Sequence, residues 1–181
     1  MGTANGASPP RIMDFRQITR GALRGAVAGV IGTAVMDAVW YRRYRRGGGE
    51  DDVLSWEFGA HPATWEEAAA PARAGRVLAK ALLGRDLPVT SAGLVTNVMH
   101  WGYGPTWGAQ FGAIGTHNAV QPGVVSGAAF GALVWISDYV TLPLLGVYEP
   151  IWRYKPDALR DDLTAHLAYG IGTGVALRML G

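Results

Sequence analysis

The sequence predicts an all-α fold, an integral membrane four-helix bundle with a long polar loop between spans 1 and 2, and three observations carry that expectation. Four nearly uncharged apolar segments alternate with charged ones, although charged residues make up only 17% of the 181-residue chain. Each apolar segment has roughly the twenty helical residues that a bilayer core of about 30 Å requires. Glycine, at 26 residues, falls inside these segments rather than only at turns, a habit of membrane helices.

Residues 1–20, MGTANGASPPRIMDFRQITR, read as a polar N-terminal tail without the apolar core of a signal peptide. The four-span membrane domain then covers residues 21–181. Its first span, about 22–41, is longer than a signal h-region and is expected to be retained. It ends in Trp40, Tyr41 and the basic clamp RRYRR, the aromatic-plus-basic signature of a membrane–water interface. Loop 42–90 is polar. Its PARAGRVLAKALLG stretch predicts a helix at about 72–83 that stops at Gly84, a residue suited to the left-handed cap. Val77, Leu78, Ala81 and Leu82 make one face of that helix, and Arg73, Arg76 and Lys80 the other. This suits a helix lying on anionic lipid, and a short helix capping the bundle fits equally. The second span, about 91–114, contains Pro105. The third, about 122–147, carries a single charge, and the fourth, about 163–180, is short.

Small residues set the expected packing. Gly25, Gly29 and Gly32 mark one face of the first span, Gly123, Gly127 and Gly131 the third, and Gly170 and Gly174 the fourth. In lipid there is little hydrophobic drive between helices, so close backbone approach must supply association. These ladders predict a tightly packed bundle, and self-association or a membrane-protein partner is their other use.

Each span also holds one ionisable residue: Asp37, His100, Asp138 and His166. An acid at a helix centre costs about 2.5–3.5 kcal/mol on insertion scales, so such groups face other helices or water. At about 1.5 Å per residue, Asp37 and His166 lie about 5–6 Å from the side bearing loops 42–90 and 148–162. Asn97 lies about 9 Å from it, Asp138 about 12 Å and His100 about 14 Å. All five fall in one half of the bilayer, which predicts a polar pocket opening toward the charged loops. The plainest use of this pocket is structural, with Asp–His and Asn–His bonds fixing helix register and Asp37 turned toward Arg42 and Arg43.

The composition narrows function. There is no cysteine, so disulfides and thiolate metal sites are excluded. The net charge of +2 is too small to suggest nucleic acid. A catalytic set is not evident: Ser126 and Ser137 lack a nucleophile elbow, and the assignment leans away from an enzyme. A metal site of His100, His166 and Asp138 has no ligand-motif spacing behind it. A haem between His100 and His166 would have to bridge depths differing by about 9 Å. Neither metal nor cofactor is expected. His61 and His117 read as loop residues without a role. The leading reading is a structural or interaction subunit in the lipid bilayer. A proton-linked or small-solute transporter using the Asp/His pocket is the alternative, and a metal- or haem-binding membrane protein comes behind it.

The stretch GVVSGAAFGALVWISDYVTLPLLGVYEPIWRYKPDALRDDLTAHLAYGIG resembles the YagU-like family of small bacterial inner-membrane proteins. The likeness rests on the glycine-spaced third span, on Pro143, Leu144, Gly146 and Pro150, and on Asp162 and His166 opening the last span. Asn97, His100 and Trp101 extend it to the second span with polar residues exchanged. At Asp138 the family pattern has histidine, which weakens any metal or haem role there. The likeness covers about half the chain and implies a multi-pass protein of the bacterial plasma membrane, without implying a reaction. Arginines are denser beside loops 42–90 and 148–162, which by the positive-inside rule favours those loops in the cytoplasm, while Arg20 and Arg24 before the first span pull the other way.

Overall fold

Long stretches free of internal breakers dictate long helices. The computed structural model describes residues 15–59, 61–115 and 121–181, and among these it has six α-helices, four of them long, and no strand. The tail up to residue 14 and His117 lie outside that range. Helix α1 spans Phe15–Arg46. It therefore begins inside the expected polar tail, because FRQITR contains neither Pro nor Gly to stop a helix propagating outward. Arg43, Arg45 and Arg46 occupy its last turn, where cations complement the helix dipole.

The 42–90 loop contains more structure than expected. Helix α2, Val53–Phe58, starts at Asp52, whose carboxylate accepts from the Leu54 and Ser55 amides, satisfying donors left open at a helix start. Helix α3, Ala70–Leu83, ends at Gly84 with φ 68°, a left-handed conformation cheap only for glycine. The buried seam is Ala72 and Gly75, with Gly75 against Val95 and Met99 of the next helix. Val77, Leu78 and Leu82 point away from the protein.

That next helix, α4, is Ala92–Gly115, and α5 is Val124–Leu144. The latter stops short of residue 147 as the chain turns through Gly146 at φ 67°. Helix α6, Pro156–Met179, starts seven residues before the expected fourth span. Pro156 opens it, its missing amide costing nothing at that position, and Asp157 in the first turn favours the positive end of the dipole.

The four long helices run antiparallel in chain order, and glycine decides which pairs touch. A methyl group on Gly25 would strike the Gly108 carbonyl, one on Gly29 the Gly104 carbonyl, and one on Gly112 the Gly21 carbonyl. This α1/α4 seam uses a ladder at Gly104, Gly108 and Gly112 that the sequence reading passed over. On the other side, Gly127 meets Gly170, Gly131 meets the His166 carbonyl, and Gly174 meets the Gly123 carbonyl, closing α5 on α6. Gly32 departs from the Gly25 and Gly29 face. It lies against Tyr169 and Thr173 of α6, joining the two pairs.

Between α4 and α5 the contacts are made by rings. Phe111 stacks on Phe130 at 4.4 Å, and Trp107 meets Phe130 edge-on at 6.2 Å. Aromatic rings hold these two helices apart while filling the half of the bundle away from loop 42–90. The largest apolar core cluster is Met36, Phe130, Val134, Ala165 and Tyr169.

Of the four long helices, α1 and α5 are long and apolar enough to cross a membrane. Helices α4 and α6 fall below that measure. In α4 the hydropathy is lowered by Asn97, His100, Pro105 and its glycines, and in α6 by the charged first turns.

Two outcomes are expected. Gly127→Leu should lose at least about 1–3 kcal/mol, the usual cost of overpacking, because the obstruction is backbone. Gly102→Ala, where nothing lies within 4 Å, should gain about 0.5–1 kcal/mol of helix propensity; equilibrium unfolding of both variants checks the contrast. Separately, the Arg76 guanidinium pairs with Asp86 at 2.6 Å and 2.7 Å and holds its carboxyl at about 2, below the ordinary 3.8. A depressed folded pKa means stabilisation that is present above about pH 4 and lost as pH falls toward 2. The Asp86 carboxyl resonance should therefore titrate near 2 and move back toward 3.8 in Arg76→Gln.

Candidate functional site

At the loop end of the bundle the wedge between α4 and α5 is not filled, and it leaves a cavity of about 440 Å³. Met36, Met99, Trp107, Val134 and Leu142 supply apolar wall. Ala69, Ala70 and Pro71 at the start of α3, together with Tyr148 after α5, lie across the loop-side end. Tyr169 closes the far end, its phenol donating to the Gly104 carbonyl at 2.6 Å. Burial pushes the Tyr148 phenol above its ordinary pKa, so this ring acts as a neutral hydrogen-bonding group.

The polar residues expected to converge do so as two clusters. In the first, Asp138 is nearly buried. Its Oδ1 accepts from the Tyr103 hydroxyl at 2.5 Å, and its Oδ2 lies 3.1 Å from His166 Nε2. The other His166 nitrogen, Nδ1, is 2.9 Å from the Asp162 carbonyl and 3.4 Å from that residue's carboxylate. Both ring nitrogens thus face acceptors, and a ring carrying both protons satisfies both. Trp135 donates to the far oxygen of Asp162 at 3.1 Å.

In the second cluster His100 Nε2 is 2.7 Å from Asp37 Oδ1. Asp37 therefore does not turn toward Arg42 and Arg43. Arg43 instead reaches α6, donating to the Asp161 carbonyl at 2.7 Å, and lies 4.8 Å from the Trp40 ring. His100 is on the cavity wall, so the two clusters border one space.

Asn97 does not join. Its amide donates to the Gly93 carbonyl one turn back, at 3.1 Å, and Thr96 does the same with Ala92. A polar side chain satisfied by its own helix needs no partner across the bundle. Ser137 likewise bonds back to Leu133, away from either histidine. His100, His166 and Asp138 do not form one set, since each histidine has its own aspartate.

Several members of the site were not read from the sequence as pocket residues. Tyr103 lies one turn after His100, and Asp162 one turn before His166, so both were within reach of a same-face argument. Glu57 was not. It sits on α2, in the polar loop, and reaches α4 by accepting from Trp101 Nε1 at 2.7 Å.

The arrangement can hold a small amphipathic molecule: apolar wall around its body, and a hydrogen-bonding end formed by Tyr103, Asp138 and His166. Comparison with family models, with curated proteins and with solved structures found no match to this chain.

Proposed function

We propose that the chain is a multi-pass membrane protein, with loops 42–90 and 148–162 on the cytoplasmic side, that binds a small amphipathic solute in the cavity and exchanges it through the loop end. The cavity carries this reading. At about 440 Å³ it has the size of a small-molecule site, and its apolar wall converges on a few polar groups, Tyr103, Asp138 and His166, the usual build of such a site.

The membrane assignment is supported by where the apolar side chains point. Only 33% of the most apolar stretch of α1 and 28% of that of α5 are buried, whereas the core helix of a soluble protein is mostly buried. Leu23, Val27, Val30 and Ile31 on α1, and Val125, Leu133, Ile136 and Val140 on α5, face outward. The outward Leu78, Leu82 and Leu83 of α3 suit a helix resting at the lipid interface. Membership of the YagU-like group of bacterial inner-membrane proteins fits this picture through the motif of α5 and α6.

The solute's head is set by charge. Asp138 and Asp162 flank one histidine, so even a doubly protonated His166 leaves one negative charge to balance. An apolar body with a protonated amine fits that end better than a carboxylate does. A structural role for the Asp138–His166 pair is a second reading, favoured by the fact that both Asp138 oxygens and both His166 nitrogens already have partners. It accounts for the pair but not for the cavity beside it.

In lipid nanodiscs, straight-chain amines of about six to ten carbons, a length scaled to a pocket of this size, should raise the Tm by several degrees, and carboxylates of equal length should not. Asp138→Asn should remove that response while helix content by circular dichroism is retained. Equal responses to amine and carboxylate, or no response to either, would sink the binding reading. Amine uptake into proteoliposomes no faster than into empty liposomes would leave binding without transport.

A further inference from the structure

We propose that Asp37, Glu57 and His100 form a site for a divalent transition-metal ion, of the zinc class, at the junction of α1, α2 and α4. One ligand atom from each lies within 4.8 Å of the others. Two carboxylates and an imidazole are a donor set that zinc accepts, leaving a fourth position open for water or another ligand.

The site is built rather than fortuitous. Asp37 comes from the bundle and Glu57 from the loop, 20 residues apart in sequence. Loop 42–59 is folded back to bring them together. Tyr41 donates to the Asp51 carbonyl at 3.1 Å, and Trp56 packs against Tyr41 at 5.4 Å and Tyr44 at 6.2 Å. Asp52 caps the short helix that presents Glu57. Trp101 then fixes the Glu57 carboxylate through Oε1. An outer hydrogen bond of this kind orients a ligating carboxylate.

Two observations ask for a cation. Asp37 Oδ2 is a buried oxygen without a hydrogen-bond partner among the described residues, an arrangement that costs stability unless a donor or cation satisfies it. The second is charge. Two carboxylates beside a single histidine hold excess negative charge, and a divalent ion would reverse their repulsion. Neighbouring ligands on a tetrahedral zinc with bonds of about 2.0–2.2 Å stand about 3.3 Å apart, so metal binding would replace the 2.7 Å His100–Asp37 hydrogen bond with a bond from each residue to the ion.

This site is separate from the Asp138–His166 pair, so it stands or falls independently of solute binding. The full chain, purified in detergent with any affinity tag removed and stripped with EDTA, is titrated with ZnCl₂ by calorimetry, and retained metal is measured after gel filtration. One zinc per chain is expected, with a rise in Tm. Glu57→Gln keeps an oxygen for Trp101 and should preserve the fold, yet lower affinity at least tenfold. His100→Ala should do likewise, while His61→Ala, at a loop histidine outside the cluster, binds as the unmodified chain does. No zinc retained above a protein-free control overturns the proposal. So does Glu57→Gln binding with unchanged affinity, or His61→Ala losing the metal. Should His100→Ala fail to fold, Glu57→Gln decides alone.

Discussion

Backbone lying directly on backbone is the constraint from which the remainder of this structure follows. Where Gly25, Gly29, Gly104, Gly108 and Gly112 face one another, and where Gly127, Gly131, Gly170 and Gly174 do, no side chain separates the helices. Dispersion and close carbonyl contact supply the association there, and neither tolerates an added carbon. The small residues thereby commit α1 to α4 and α5 to α6.

Once two pairs are zipped this tightly, the space between them is set by whatever joins them. Gly32 brings α1 against Tyr169 of α6, and the rings of Trp107, Phe111 and Phe130 span α4 to α5. Those rings fill one half of the bundle and keep the helices apart in the other. The cavity is the geometric remainder, and its polar lining is drawn toward one end because each long helix places its ionisable residue there. A bundle that was tight on every face would have left Asp138 and His166 without a space to border. Their bonds would then have been register pins alone.

The loop between α1 and α4 contributes in proportion to how well it is anchored. Its aromatic contacts to the end of α1, the Asp52 cap and the Arg76–Asp86 pair turn a polar linker into two positioned helices. One carries Glu57 to Trp101, and the other lays its small-residue seam on α4 and its first turn over the cavity. Burial of Ala72 and Gly75, rather than of Val77 and Leu78, reflects the same rule as the bundle: close approach favours the small face.

From the sequence alone, the all-helical class, the spacing of the glycine ladders and the gathering of Asp37, His100, Asp138 and His166 toward one end were legible, because helical rise and periodicity are local properties. The Gly84 stop was legible for the same reason. Partner choice was not. Nothing local says that Gly32 turns to α6 while Gly25 and Gly29 turn to α4, that Asp37 meets His100 instead of Arg43, or that Asn97 satisfies itself. Nor could it place Glu57, whose position depends on a folded loop. These depend on the rotation and separation of whole helices, which is settled only when every seam closes at once.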